Sequence, residues 1–306
     1  MPALLEPRLF VGDHVEMHRA YTPAEALAYT HWLATHHYEN FHVVSFLLPK
    51  HLHQDFYNVY AFCRWADDLG DEIGDTAESL RLLAWWRAEL ERAYHGEASH
   101  PVYVALLDTI KRHDLPAKPF HDLITAFEHD QRVTRYNNWD EVLDYCKYSA
   151  NPVGHLVLYL CGYRDAERQR LSDATCTALQ LANFWQDVAV DLGKDRIYLP
   201  LDLLAKHGSS EADVVGLRAT PQFRAAMHEA VAYSRELFHE GLPLARTVNR
   251  RLSLDLELFS RGGLKILDKI ESQDCDVLSS RPKISKSERA LLLISTLVRW
   301  AFQRAA

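Results

Sequence analysis

The sequence predicts an all-α protein, and three observations carry that reading. Apolar residues recur at helical spacing over most of the chain, strand-like alternation of Val, Ile and Thr is scarce, and neither Asn-Gly nor Asp-Gly, the strong hairpin signals, occurs. Helix starts are marked by two capping boxes, Thr22-Pro23-Ala24-Glu25 and Ser285-Lys286-Ser287-Glu288, in which a hydroxyl and a carboxylate satisfy the free N–H groups of a first turn.

Taken in order, helices are expected at 22–36, 51–71, 76–95, 100–113, 117–133, 139–163, 171–191, 221–246, 249–273 and 286–304. The breaks at Gly74-Asp75, Gly96, Leu115-Pro116, Asn137-Asn138, His207-Gly208-Ser209-Ser210 and Ser279-Ser280-Arg281-Pro282 are short and built of turn residues. None is long enough for an interdomain linker, so residues 1–306 are expected to form one helical domain, with 1–20 poorly ordered because two prolines and Gly12-Asp13 interrupt the pattern. A kink is expected at Asn151-Pro152-Val153-Gly154, where the proline removes a backbone donor from the 139–163 helix.

Composition narrows the function classes. Hydrophobic residues make up 48% and charged residues 25% of the chain, which is ordinary for a protein with a sizeable core. A formal net charge of −8 argues against a nucleic-acid partner held by a general basic surface. The five cysteines form no CxxC pair and are expected to be reduced, buried thiols of a cytoplasmic protein. No signal peptide and no run of 18 apolar residues is present, so no transmembrane segment is expected. The amphipathic stretch from Ala290 to Trp300 is expected to pack on the core, with peripheral membrane contact as its weaker alternative.

The chemistry lies in two acidic clusters, Asp67-Asp68-Leu69-Gly70-Asp71-Glu72 and Asn183-Phe184-Trp185-Gln186-Asp187-Val188-Ala189-Val190-Asp191. Residues four apart share a helix face, so Asp67 projects with Asp71, and Asn183 with Asp187 and Asp191. Two carboxylates about 4 Å apart repel by roughly 4 kcal/mol at an effective dielectric near 20, and apolar neighbours raise the penalty. A hard divalent cation relieves it, and Mg²⁺ characteristically joins one or two carboxylates to substrate phosphates. Arg64 before the first cluster, and Lys194 with Arg196 after the second, are the cations a diphosphate would need. A solvated acidic face is the bland alternative, but both clusters end helices that read as buried. The dipeptides His113-Asp114, His121-Asp122 and His129-Asp130 suggest a His/Asp metal phosphohydrolase, a reading that leaves both aspartate clusters unused; a non-catalytic helical scaffold holding metal ignores the cations beside them.

Five linked motifs then carry a resemblance. His37-Tyr-Glu-Asn-Phe41 leading to Leu47-Leu-Pro49, the run from Tyr60 to Glu72, Tyr145-Cys-Lys-Tyr-Ser-Ala-Asn-Pro-Val-Gly154, Gln180 to Asp191, and Arg196-Ile-Tyr-Leu-Pro200 together resemble the squalene/phytoene synthase family, in the right order over about residues 30 to 200. Within it, the Glu-Asn-Phe, Ser-Ala-Asn-Pro-Val-Gly and Asn-Phe-Trp-Gln-Asp segments most closely resemble the bacterial hydroxysqualene synthase branch, associated with hopanoid biosynthesis. Many relatives place Arg just before the first Asp of the second cluster and an acid just before the last; this chain has Gln186 and Val190.

The resemblance implies an all-α isoprenoid-synthase bundle with a central cavity and acidic faces opposed at its mouth. It implies that Asp67, Asp71, Asn183, Asp187 and Asp191 hold Mg²⁺, about three ions with diphosphate bound, with Asp68 supporting them. His37, Arg64, Lys194, Arg196 and Tyr198 would contact diphosphate, Ala150, Val153, Gly154 and Val157 would wall the cavity, and Tyr60, Tyr145 and Gln180 would line it, aromatic faces steadying a carbocation. The implied reaction is conversion of presqualene diphosphate to hydroxysqualene with water capture and diphosphate release, without NADPH, between a presqualene diphosphate synthase and a hydroxysqualene reductase. Its alternative is head-to-head condensation of two prenyl diphosphates to presqualene diphosphate, squalene, dehydrosqualene or phytoene.

Overall fold

The computed structural model describes residues 4–36 and 48–302. Along the chain, α-helices run α1 Pro7–Gly12, α2 His14–His18, α3 Pro23–His36, α4 His53–Asp71, α5 Thr76–Tyr94, α6 Pro101–His113, α7 Lys118–Asp130, α8 Trp139–Ser149 and α9 Asn151–Leu160. They continue as α10 Ala166–Leu192, α11 Leu201–Lys206, α12 Glu211–Val215, α13 Pro221–Gly241, α14 Arg250–Ser272 and α15 Lys286–Phe302, with 3₁₀ turns at Lys50–Leu52 and Leu242–Arg246. The chain is all-α as expected, with no strand among the described residues.

Contacts divide it into two compact units, one of residues 1–132 and 152–164, the other of 133–151 and 165–306. In the first unit α4 is the central helix, packed by α1, α3, α5, α6 and α7. Its buried side chains Phe56, Phe62, Trp65 and Leu69 meet an aromatic box in which Trp65 stacks on Trp86 at 5.1 Å and Phe62 meets Phe120 edge-on at 4.8 Å. Asp55, also buried, accepts from Thr109, pairs with the Arg112 guanidinium at 3.1 Å and lies 3.0 Å from His113 Nε2, so this carboxylate is met by three side chains of α6.

In the second unit α10 is central, packed by α8, α13 and α14. Two close approaches set its geometry. A Cβ at Gly241 would lie 2.1 Å from the Thr175 hydroxyl and 3.0 Å from the Leu171 carbonyl, and one at Gly263 would lie 2.2 Å from the Phe238 ring, so α13 seats on α10 and α14 on α13 only because these positions lack a side chain. The indole of Trp185 donates to Ser234 of α13 at 2.8 Å, which fixes the rotation of α10 about its own axis.

Several boundaries differ from expectation for local reasons. Within the 1–20 stretch expected to be poorly ordered, Pro7–Gly12 and His14–His18 form α1 and α2, because Phe10 is fully buried among Tyr21, Tyr29, Trp65 and His100, and Asp13 caps the N–H groups of Val15 and Glu16. Helix α10 begins at Ala166 rather than 171 because Asp165 accepts from the Arg168 N–H at 3.0 Å. The 139–163 helix divides at Ala150 (φ −117°), one residue before Asn151-Pro152, which is the kink in its extreme form. The short helices α11 and α12 were not expected; Pro200 precedes one, and Ser210 with Asp213 forms the capping box of the other.

His100 shows how far burial governs the first unit. Its Nδ1 accepts from the Val102 N–H at 3.3 Å as the cap of α6, its ring lies 4.3 Å from Trp65 and 5.0 Å from Trp86, and Nε2 has no hydrogen-bond partner among the described residues. Burial alone holds it well below the usual histidine pKa, so the ring is neutral. The unfolded chain takes up a proton below about pH 6.5 that the folded chain refuses, so this histidine's contribution is complete above that pH and is lost as pH falls. His100→Asn, which keeps a capping acceptor, is expected to flatten the fall in urea-unfolding free energy between about pH 6.5 and 5.5 by up to about 1.4 kcal/mol per pH unit. Parallel slopes for the variant and the parent chain would contradict the assignment.

Candidate active site

The first acidic face lies on the last two turns of α4. Tyr60, Arg64, Asp67 and Asp71 follow one another at helical spacing and are all half-buried, whereas Phe62, Trp65 and Leu69 are turned inward. Arg64 sits 3.6 Å from Asp67 and 2.5 Å from Asp68, a single guanidinium serving two carboxylates. These two differ in environment: the Asp67 side chain is 43% exposed and the Asp68 side chain 5%. Burial pushes the Asp68 carboxyl up to about 7 against the pull of Arg64, and the charges of Asp67, Glu6 and Glu72 act in the same upward direction. Burial likewise raises the Tyr60 phenol, keeping it neutral. The end of α4 is tied down by Gln131, which donates to the Gly70 carbonyl at 2.8 Å, and by close packing of Gly70 on Phe127.

The second acidic face lies on the last three turns of α10. Asn183 is exposed, Gln180 and Asp191 are half-buried, and Asp187 is buried. Asp187 is not bare: Arg281, far along the chain, grips both its oxygens, with Nη2 3.0 Å from Oδ2 and Nε on Oδ1. Beside it, Gln186 donates to the Pro282 carbonyl at 2.6 Å. After α10 the chain doubles back, the N–H groups of Lys194 and Arg196 both donating to the Asp191 carbonyl through a left-handed Asp195. That turn is held from outside by Arg135, which bonds the Asp195 and Glu211 carboxylates at 2.6 Å each. Tyr198 then stacks on Phe184 at 3.7 Å and on Tyr136 and Tyr145 at 5.5 and 5.8 Å.

Of the kinked-helix positions, Ala150 and Gly154 are buried, Val157 is half-buried and Val153 is exposed. His37 lies outside the described residues. Of the His-Asp dipeptides, His113 Nε2 lies 3.0 Å from the Asp55 carboxylate, and His121 accepts from Arg87 at Nδ1 while its Nε2 lies 2.9 Å from Glu91, so both rings are engaged in contacts within the fold. Spacing alone did not disclose Arg281, Arg135 or Tyr136. The first acts 94 residues from its partner, and a turn sequence such as Ser280-Arg281-Pro282 carries no periodicity to reveal it.

Oxygen is the only donor type that the acidic positions of each face supply, the donor set that suits a hard cation such as Mg²⁺ and not a softer transition metal. Among the described residues no group of three or more His, Cys, Asp or Glu side chains gathers at ion-binding distance. Asp67 and Asp71 stand four apart on α4, and Asp187 and Asp191 four apart on α10, so each helix carries two carboxylates on one face.

Against known proteins, residues 34–288 match the squalene/phytoene synthase family model. The chain belongs to the squalene/phytoene synthase family. It is an enzyme of that family with its all-helical fold. Among solved structures it is similar to the squalene synthase HpnC from Alicyclobacillus acidocaldarius, with 45% identity and a TM-score of 0.79, covering 82% of this chain and 95% of that one. Among curated relatives it is 35% identical to a phytoene synthase of Thermus thermophilus over 84% of this chain and 87% of that protein. It is 34% identical to a hydroxysqualene synthase of Rhodopseudomonas palustris over 78% and 82% of the respective chains. No described helix is long and apolar enough to cross a membrane.

The support given by Arg135 is directly testable. Arg135→Met removes the ion pair to Asp195 in the 193–197 turn, along with the pair to Glu211 that braces Arg135 itself, and tryptic cleavage after Lys194 and Arg196 under native conditions is expected to accelerate severalfold. Unchanged cleavage would show that the turn stands without it.

Proposed function

We propose that this enzyme converts presqualene diphosphate and water to hydroxysqualene, diphosphate and a proton, with Mg²⁺. The observation that carries the reading is the 45% identity to the squalene synthase HpnC over 82% of the chain, joined to the similarity to hydroxysqualene synthases. Asp67 and Asp71, and Asn183, Asp187 and Asp191, are assigned as Mg²⁺ ligands. Bound there, Mg²⁺ would supply the charge that makes diphosphate a leaving group. Arg64, Lys194, Arg196, Tyr198 and His37 are assigned to diphosphate oxygens, and Asp68, largely enclosed, to orienting Arg64.

The carbon–oxygen bond to diphosphate breaks with both electrons leaving on the diphosphate, and the cyclopropylcarbinyl cation that remains rearranges to an allylic cation. Water oxygen then bonds to carbon, and its surplus proton passes to the released diphosphate, so no further co-reactant is required. A cation of this kind lasts only where water is excluded until the last step. Tyr60, Tyr145 and Gln180, with Ala150, Val153, Gly154 and Val157, are assigned to the walls that shape it, with aromatic faces contributing roughly 0.5–2 kcal/mol of cation–π stabilisation. The substrate would come from an enzyme that joins two prenyl diphosphates, and the alcohol would pass to a reductase. A cytoplasmic enzyme with peripheral membrane contact would suit so apolar a substrate.

The second reading, condensation of two prenyl diphosphates, is favoured by the 35% identity to the Thermus phytoene synthase. Purified protein incubated with Mg²⁺ and no NADPH, separately with farnesyl, geranylgeranyl and presqualene diphosphates, distinguishes the two: alcohol from presqualene diphosphate alone is expected, whereas a C30 product from farnesyl or a C40 product from geranylgeranyl diphosphate would favour condensation. Asp67→Asn and Asp187→Asn are each expected to slow Mg²⁺-dependent diphosphate release by about 10²-fold or more while circular dichroism stays unchanged. Parental turnover in either variant would refute the ligand assignment.

A further inference from the structure

We infer that the outward face of α15 docks this enzyme on an anionic lipid surface, with Leu291, Ile294, Leu297 and Val298 at the boundary between headgroups and acyl chains. The inference rests on the peripheral membrane contact proposed above and names the surface that makes it.

Its origin is the way α15 sits on α14 within their unit. The sequence predicts that the stretch from Ala290 to Trp300 packs on the core, but the helix is turned the other way. Arg250, Arg261, Lys265 and Lys269 recur along one side of α14 at helical spacing. α15 meets that row of cations with polar groups and an aromatic ring. Glu288 pairs with Lys269 at 2.6 Å, Arg261 donates to Ser295 and Thr296 at 3.0 and 2.6 Å, and the Arg250 guanidinium lies 3.7 Å from the centre of the Trp300 ring. Aliphatic side chains could satisfy none of these charges, so they face away. Leu291, Ile294 and Val298 are 66%, 58% and 50% exposed, and Leu293 and Leu297 38% each. Positions 291, 294 and 298 fall on one stripe of the helix.

An exposed apolar stripe marks an interaction surface, and charge decides what covers it. Lys283 and Lys286 precede the stripe, Arg289 and Arg299 lie within its length, and all four are exposed. Glu288 is the one acid between positions 283 and 302, and it is engaged by Lys269, in a chain whose net charge is −8. A second copy docking through the same face would bring an identical set of cations against this one. An anionic bilayer offers the opposite charge with an apolar layer directly beneath it, the pairing that holds amphipathic helices in the plane of a membrane. The helix has 17 residues, a length of about 25 Å, and its polar side is committed to α14, so it lies along the surface and not across it.

The test is co-sedimentation of the full-length protein with phosphatidylcholine vesicles, made with and without phosphatidylglycerol. The parent chain is expected to bind the anionic vesicles about tenfold more tightly than the neutral ones, and to lose that preference at high salt. The double variant Leu291→Glu, Ile294→Glu is expected to weaken binding to anionic vesicles about tenfold or more, with unchanged circular dichroism, since both side chains already face outward. Val298→Glu probes the same stripe one turn on and should act in the same direction. Lys283→Gln and Lys286→Gln are each expected to weaken binding about fivefold. Parental binding by both stripe variants refutes the role of α15 and assigns the membrane contact to another surface. A parent chain that binds neither vesicle overturns the peripheral contact itself, and the role of α15 with it. A parent chain that sediments as a dimer without lipid, and as a monomer once the Leu291→Glu, Ile294→Glu pair is introduced, gives the stripe to a second copy and overturns the lipid assignment.

Discussion

Carboxylates one helical turn apart on largely buried helices are the constraint to which the rest of each unit answers. At Asp67, Asp68 and Asp71 the same segment that repels itself also contains Trp65, Ala66 and Leu69, all fully buried, so the helix cannot turn its charges to water without pulling its core apart. One guanidinium, Arg64, serves the first two acids, and Asp68 responds to its enclosure by moving towards neutrality. At Asp187 the answer is an ion pair from a strap almost a hundred residues away. Both solutions set a guanidinium against carboxylates that their own helix holds in place.

Such a compromise requires rigid surroundings, because a carboxylate free to swing outward would relieve its repulsion by moving. Aromatic packing supplies the rigidity in each unit separately. Behind α4, Trp65, Trp86 and His100 enclose one another at ring distances of 4.3 to 5.1 Å. Beside α10, the near-parallel stack of Phe184 and Tyr198 at 3.7 Å ties the helix to the chain segment that follows its cationic turn, while Trp185 anchors the opposite side to Ser234. Stiff rings contribute large contact area at small entropic cost, and they hold acidic groups in place before any ligand arrives.

Much of this was legible in the sequence. Periodicity gave the long helices to within a few residues, and the i,i+4 spacing of the acids placed Asp67 with Asp71 and Asp187 with Asp191 on shared faces, since helix geometry is local. What spacing could not supply was the partner of each charge. Arg64 was visible because it shares a helix with its acids; Arg281 and Arg135 were not, because their partners are brought to them by tertiary folding. The same division explains the misread start of the chain. Two prolines and a glycine argue locally for disorder, and only the burial of Phe10 against rings from α3, α4 and the loop before α6 overrides them.

The departures at positions 186 and 190 take on a common meaning in this light. They lie four apart on one edge of α10, adjoining the acidic face without belonging to it; Val190 is 54% exposed and Gln186 is half-buried. An Arg and an acid in those places could pair with each other along the helix. Replacing both with neutral residues leaves the net charge of that edge unchanged while removing a cation fixed beside Asp187. The charge is then supplied by Arg281, on a strap whose position Gln186 itself sets. A cation carried by the helix is fixed beside the acid, whereas a cation carried by a strap stands there only through the hydrogen bonds that moor the strap.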